Sequence, residues 1–311
     1  MQLEFEHHPV LLQEAIAGLA IQPDGVYVDG TFGRGGHSAA ILLKLNEHGR
    51  LLAMDQDVQA VEIGRNRFGN DSRFEIVHSN FSAMAKILAE RNLVGQVNGI
   101  LLDLGVSSPQ LDDASRGFSF MKPGPLDMRM DNTTGLTASR WIAQAQEREI
   151  ADVIWRYGED RFARRIARSI VESRQTAPIE NTRQLADIIS QSVPRREKHK
   201  HPATRTFQAI RIHINSELKV LSDTLPQIPQ LLAIGGRLAV ISFHSLEDRI
   251  VKRFMREQSK GPVMPPDLPV AASDIRPPMR LIGKATKPGE EEIHTNPRAR
   301  SAVLRVVERI N

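Results

Sequence analysis

The 311-residue chain contains no cysteine. That excludes disulfides, thiolate nucleophiles, iron–sulfur clusters and cysteine-ligated zinc, and with them the zinc-finger class of nucleic-acid binders. Aromatic residues are scarce at 5%, with two Trp and two Tyr, so any surface that stacks on bases must be built from few side chains. Long apolar runs are missing as well. Residues 51–54, 100–104 and 238–243 fall far short of the roughly 20 residues that cross a bilayer. Nor is there a large excess of one charge: Lys+Arg 41 against Asp+Glu 37 gives +4, so placement matters more than the sum. Residues 1–9 are acidic and His-bearing and lack the basic and apolar regions of a secretory signal. A soluble cytoplasmic protein with no membrane partner is expected.

What is present is ordinary for a globular chain. Hydrophobic residues make up 41% and charged residues 25%, and the length suggests two domains, or one large domain carrying an insertion. Helical spacing over 10–20 closes before Pro23-Asp24-Gly25. Apolar runs at 25–30, 51–55, 74–77 and 99–104 are continuous rather than alternating. Helical patterns at 38–45, 58–67 and 82–91 separate them, which predicts a parallel sheet covered on both faces. From Asp112 to Asp131 the pattern turns to loop. Helical stretches then follow at 141–145, 150–157, 162–171 and 185–193. The expected organisation is a doubly wound α/β domain formed by 1–130 and 205–311, with a small helical domain, 131–204, inserted for substrate recognition. In the second part of the α/β domain, 207–232 reads as one or two helices stopped by Gly235-Gly236. Residues 238–243 read as a fifth strand, 261–289 as irregular and proline-rich, and 301–307 as an edge strand.

The clearest chemical signal is Asp29-Gly30-Thr31-Phe32-Gly33-Arg34-Gly35-Gly36-His37, glycines between a strand and a helix that let backbone N–H groups approach a ligand. Asp55 ends the next strand, where a carboxylate can accept both ribose hydroxyls of an adenosine. A tight turn with a solvated aspartate is the bland alternative. A dinucleotide fingerprint would need a third glycine where Ser38 stands. S-Adenosylmethionine (SAM) carries no phosphate but presents an ammonium and a sulfonium, for which Asp29 and Asp103 would be useful. The balance favours methyl transfer.

The fourth strand ends in Asp103, and small polar residues follow it through Ser107-Ser108-Pro109-Gln110 to Asp112. This stretch, with 29–37, 116–120, 126–131, 158–166, 201–218, 242–254 and 296–305, resembles the 16S ribosomal RNA cytosine-N4 methyltransferases, the RsmH or MraW family. The resemblance covers nearly the whole chain. It implies a Rossmann-like class I SAM-dependent methyltransferase with an inserted helical domain. It also implies methylation of a cytidine in the decoding region of 16S rRNA, with the small ribosomal subunit as partner and a homodimer left open. Carried over by position, Gly35, Gly36 and His37 would hold the methionine end, Asp55 the ribose, Phe81 the adenine region, and Asp103 and Gln110 the remaining polar groups, with Gly33 also among the cofactor-binding residues. Phe81 reads equally well as core.

Cytosine N4 is a weak nucleophile because its lone pair is delocalised into the ring, so hydrogen-bond acceptors on its hydrogens would help the reaction. Many amino-methyltransferases use an Asp/Asn/Ser-Pro-Pro-aromatic loop after the fourth strand. Here the second proline and the aromatic are absent. A backbone carbonyl near Ser108-Pro109, with Ser107, Asp127 or Asp131 as side-chain acceptor, is the expectation. Between Arg156 and Arg211 there are 13 Lys+Arg against 6 Asp+Glu. Arg161, Arg164, Arg165 and Arg168 at helical spacing, with Arg195, Arg196, Lys198 and Lys200 in a basic loop, are the expected phosphate contacts. Phe118, Phe120, Trp155 and Tyr157 are available for stacking. A His199–His201 metal pair lacks acidic neighbours and is not expected to hold a metal. His244 could line the site or pack.

Overall fold

The computed structural model describes residues 9–194, 201–260 and 277–311. The chain divides into two compact units, one formed by Met1–Gly105 with Leu218–Asn311 and the other by Val106–Glu217. The first unit begins α1 (Leu12–Leu19), β1 (Val26–Asp29), α2 (Gly36–Leu42), β2 (Arg50–Asp55), α3 (Val58–Phe68), β3 (Phe74–His78), α4 (Met84–Glu90) and β4 (Val97–Asp103). The second unit holds α5 (Ser108–Asp112), α6 (Ala138–Gln144), α7 (Glu147–Gly158), α8 (Ala163–Thr176), α9 (Thr182–Ser192) and α10 (Ala203–Ile214). The chain then completes the first unit with α11 (Glu217–Thr224), α12 (Ile228–Leu231), β5 (Leu232–Ser242), α13 (Ser245–Gln258), β6 (Met279–Leu281), α14 (Glu290–Thr295) and β7 (Val303–Arg309).

The seven strands form one sheet in the order β3-β2-β1-β4-β5-β7-β6. β1 to β5 are parallel, and β7 runs antiparallel to both of its neighbours. Strand order reverses between β1 and β4, which opens a crevice at the carboxyl edge of the sheet. Asp29, Asp55 and Asp103 are the last residues of β1, β2 and β4. Three carboxylates therefore reach that edge because the apolar runs preceding them have fixed the strands.

Alternate strand residues feed separate cores. Val28, Leu52, Met54, Ile100, Leu102, Leu238 and Val240 pack with α4, α12 and α13. Tyr27, Leu51, Leu101, Ala239 and Ile241 pack with α1 and α2. Both faces are thus buried, which explains runs with no polar alternation. The second unit has its own core, drawn from Ile150, Val153, Ile154, Ile166, Ile170, Leu185, Ile189, Phe207 and Ile210. Its helices are capped locally: Thr137 accepts from the Arg140 N–H at α6, and Asn181 and Gln184 form a reciprocal box at α9.

The structure departs from the sequence pattern in four places. The second unit starts at Val106 rather than near 131 and ends at Glu217 rather than near 204. The loop joins it because Phe118, Leu126, Met128 and Met130 fill the helical core. β7 is not an edge strand: it lies between β5 and β6, and β6 arises from the stretch expected to be irregular. Gly235-Gly236 does not precede β5 but lies within it. Gly235 sits at φ +83°, and a Cβ on Gly236 would lie 2.6 Å from the Val97 carbonyl oxygen. The register against β4 shifts there, so the glycines make a bulge and not a stop. Finally, the helical stretch before β5 is broken at Ser216, whose φ is +51°, and again by Pro226 and Pro229, which open two short turns.

Candidate active site

The loop after β1 is held from both sides. Asp29 is sealed, accepting the Thr31 N–H at 3.1 Å on one oxygen and the Ser38 hydroxyl at 2.7 Å on the other. Burial pushes its pKa up to about 6 against those two bonds. Gly33 and Gly35 take φ values of +55° and +73°, the left-handed region that glycine enters without strain. At Gly35 a Cβ would also sit 2.5 Å from the Phe32 ring. The Asp55 carboxylate accepts the Gly33 N–H at 2.7 Å and the Asp57 N–H at 2.8 Å. Desolvation outweighs these bonds and raises Asp55 to about 6 as well.

At the end of β4 the backbone N–H of Asp103 donates to the Thr31 hydroxyl at 2.6 Å, tying the glycine loop across the switch point. The side chain is a quarter exposed, yet its Oδ1 is sealed and has no hydrogen-bond partner among the described residues. Oδ2 lies 3.7 Å from His37 Nδ1, beyond hydrogen-bond range. The other ring nitrogen of His37 is 3.2 Å from the Val10 carbonyl oxygen, which assigns the proton to Nε2 and leaves Nδ1 as an acceptor. Burial lowers the His37 pKa to about 4, so the ring offers Asp103 no positive charge. Asp103 itself is raised well above the ordinary carboxylate range, first by desolvation and then by the charges of Asp29 and Glu247. Phe81 opens a short 3₁₀ turn after β3, half-buried, with its Cβ beside Gly30. His244 caps α13, its Nε2 3.1 Å from Glu247 Oε1, while Glu247 Oε2 accepts the Phe243 N–H at 2.8 Å.

One family model, that of the MraW methylases, matches residues 4–310. The chain belongs to the MraW methylase family. As such it is a methyltransferase whose methyl donor is SAM. Solved structures similar to this methylase include an rRNA methylase from Streptococcus thermophilus, at 10% identity and TM-score 0.45 over 99% of each chain. A Streptococcus mutans protein in complex with SAH shares 11% identity over 98% of this chain and 100% of its own, at TM-score 0.44. A SAM-dependent O-methyltransferase from Thermotoga maritima shares 8% over 98% of this chain and 68% of its own, at 0.41. These likenesses are remote, and the doubly wound assignment rests on the strand order and the family match.

The residues of the methylase fit its cofactor. Three strand-end carboxylates have pKa values raised by desolvation with no offsetting cation among the described residues, and one of their oxygens has no donor among them. A ligand bearing an ammonium and a sulfonium supplies what is missing. Sequence reasoning singled out Asp29, Asp55, Asp103 and His37, which the structure brings to one edge of the sheet. It missed the part played by Thr31 and Ser38, whose hydroxyls lock the loop to β4 and β1. Hydroxyls inside a glycine loop were the available signal.

The remaining expected residues lie in the second unit. Gln110 is buried, and its side-chain oxygen accepts the Ser107 N–H at 2.9 Å, so its amide builds the turn into α5. The Ser107 and Pro109 carbonyls accept from Leu111 and Asp113 within that turn. Asp127 grips Arg129 in a fork with both bonds at 2.7 Å. Burial would raise its pKa, but the guanidinium outweighs burial and the net shift is downward. Asp131 accepts from the Thr133 N–H and hydroxyl at 2.9 and 2.6 Å. Arg116 is buried, donating to the Arg129 and Met130 carbonyls at 3.1 and 2.9 Å. Asn215 accepts the Met130 N–H at 2.7 Å and donates to the Met128 carbonyl at 2.8 Å, holding Met128 at φ +63°. Much of the family signature at 116–131 is therefore a loop scaffold.

Arg161, Arg164, Arg165 and Arg168 are exposed, and Arg168 Nε lies 3.9 Å from Glu147. Arg195, Arg196, Lys198, Lys200 and His199 fall outside the described residues. Phe118 is buried. Phe120 packs between His201 and Phe207 at centroid distances of 4.6 and 4.9 Å. No helix among the described residues is long and apolar enough to cross a membrane.

Proposed function

We propose that this methylase transfers a methyl group from SAM to the exocyclic N4 amine of a cytidine in the decoding region of 16S rRNA, acting on the small ribosomal subunit in the cytoplasm. The observation that carries the cofactor half is the sealed, donorless Asp103 Oδ1 at the end of β4. The substrate half rests on family membership and on the motifs from 103 to 131.

SAM supplies an electrophilic methyl group on a sulfonium. The chain's own residues do the rest. Asp103 would accept from the ammonium, with Gly33, Gly35, Gly36 and His37 shaping the methionine end. Asp55 would accept from the ribose hydroxyls through lone pairs not used by Gly33 and Asp57, and Phe81 would cover the adenine region. Gln110 would act by fixing the turn at Ser107. The N4 amine needs an acceptor that favours its localised lone pair, and its surplus proton leaves after methylation, when the amine has become acidic. Ser107, Ser108, Pro109, Asp127 and Asp131 are the candidates for this step, the carbonyls of Ser107 and Pro109 being used within the α5 turn and Asp127 and Asp131 within their own loop, so the acceptor would be a lone pair left over from those bonds. Phosphates would meet Arg161, Arg164, Arg165 and Arg168, with Arg195, Arg196, Lys198 and Lys200 beside them.

The test is methyl transfer from labelled SAM to unmethylated small subunits, free rRNA and DNA in parallel, with nucleoside mapping of the product. Label on N4 of one cytidine in the subunit is expected. Label on another atom or only on DNA refutes the substrate assignment, and SAM binding with no product on any substrate points to a non-catalytic assembly factor.

A further inference from the structure

We propose that Trp155, together with the arginine row of α8, forms a stacking platform for an unpaired base of the RNA substrate. The proposal rests on the RNA reading above and names where, within the second unit, a single-stranded segment lies.

The chain has two tryptophans, and they are opposite in character. Trp141 is 6% exposed, and its indole N–H donates to Glu149 at 2.9 Å. Trp155 is 60% exposed. At that exposure the indole leaves a flat π surface open for stacking. Of the four aromatics that the sequence offered for stacking, Phe118 is buried, while Phe120 and Tyr157 pack against the helical core. Only Trp155 of that set presents a free ring face.

Its surroundings fit a nucleic acid. α7 and α8 are joined by residues 159–162, a short connection that makes neighbouring helices antiparallel. Across them, Glu147 lies 3.9 Å from the Arg168 Nε. From that contact the α7 stripe 147, 151, 155 advances in steps of four, while on α8 the stripe 168, 164 recedes toward Arg161. Trp155 thus stands in the last turn of α7, and Arg161 and Arg164 stand in the connection and at the start of α8. Arg161, Arg164 and Arg165 are exposed and take no ion pair among the described residues, and the Arg161 guanidinium lies 4.7 Å over the Phe162 ring. On α7 itself, Arg148, Asp152 and Arg156 are exposed and charged. No apolar patch surrounds the indole on its helix, which disfavours a protein partner and suits a lone base plane flanked by phosphates.

The experiment uses the full chain and a short fluorescein-labelled unpaired oligoribonucleotide containing cytidines, alone and annealed to its complement. Trp155→Ala is expected to weaken binding of the unpaired strand by about tenfold, with Trp155→Phe recovering most of it. Duplex affinity, the salt slope and the affinity for SAH should stay at wild-type values, SAH serving as the check on folding. In the wild type, emission open to acrylamide should be shielded by the unpaired strand but not by the duplex. Unchanged affinity in Trp155→Ala overturns the stack. If Arg164→Ala/Arg165→Ala still weakens binding in that case, the RNA reading survives alone. If the wild type binds neither RNA, both readings fall. A change in sedimentation of Trp155→Ala without a change in RNA affinity would assign the indole to a second copy of the chain and overturn the proposal.

Discussion

Asp55 accepts the Gly33 N–H at 2.7 Å, so the loop that follows β1 is fastened to the last residue of β2 by the carboxylate proposed above to accept the ribose hydroxyls. Loop shape thus depends on one buried carboxylate, and on the proposed reading ligand recognition depends on the same group. Burial raises both Asp29 and Asp55 from 3.8 to about 6. In the ligand-free protein their contribution to stability is fully present below the unfolded pKa and is lost as pH rises through about 6. A cationic ligand prefers the ionised carboxylates, so its dependence runs the other way. SAM affinity is expected to fall as pH drops through 6, by about tenfold at pH 5 for one such carboxylate. Calorimetric titration at pH 7.5 and pH 5 checks this, and equal affinities would refute it.

His37 carries the opposite sign. Burial lowers its pKa from 6.5 to about 4. Its contribution to stability is present above the unfolded pKa and lost as pH falls through about 4. NMR of the imidazole should show a neutral ring protonated at Nε2 throughout pH 5 to 7. Titration near 6.5 would mean that the contact with Val10 does not seal the ring.

Asn215 joins α10 to the 128–130 backbone through two hydrogen bonds. Asn215→Ala leaves a main-chain donor and acceptor without partners, and a loss of about 1–3 kcal/mol in urea unfolding is expected. SAM affinity should be retained, because Gly33, Asp55 and Asp103 belong to the other unit.

The parallel sheet was legible because both of its faces are buried in the middle, which removes polar alternation from the centres of β1, β2 and β4. The acidic edge was legible for a related reason: Asp29, Asp55 and Asp103 each end an apolar run at the carboxyl edge of the sheet. The Gly235-Gly236 bulge was not legible, since a glycine pair reads as a stop unless the approach of the Val97 carbonyl is known. Nor was the packing of Met128 and Met130, which a loop-like sequence conceals. Asp127 and Asp131 looked available for chemistry because spacing cannot reveal the Arg129 fork or the Thr133 bonds.

Arg164→Ala/Arg165→Ala should weaken RNA binding and lower the slope of log affinity against log salt by about 1 to 2, since two phosphate contacts are removed. SAM affinity should not change. A matching loss of SAM affinity would contradict a division of labour between the two units.

The most direct test is the affinity of Asp103→Asn for SAM. Asp103 Oδ1 is a sealed oxygen without a donor, at the end of the strand beside the switch point. If it receives the ammonium of the methyl donor, the neutral amide should bind SAM more weakly by about 1–3 kcal/mol, and the pH dependence should flatten. Wild-type affinity in Asp103→Asn would place the cofactor's charge elsewhere and contradict the account of this edge.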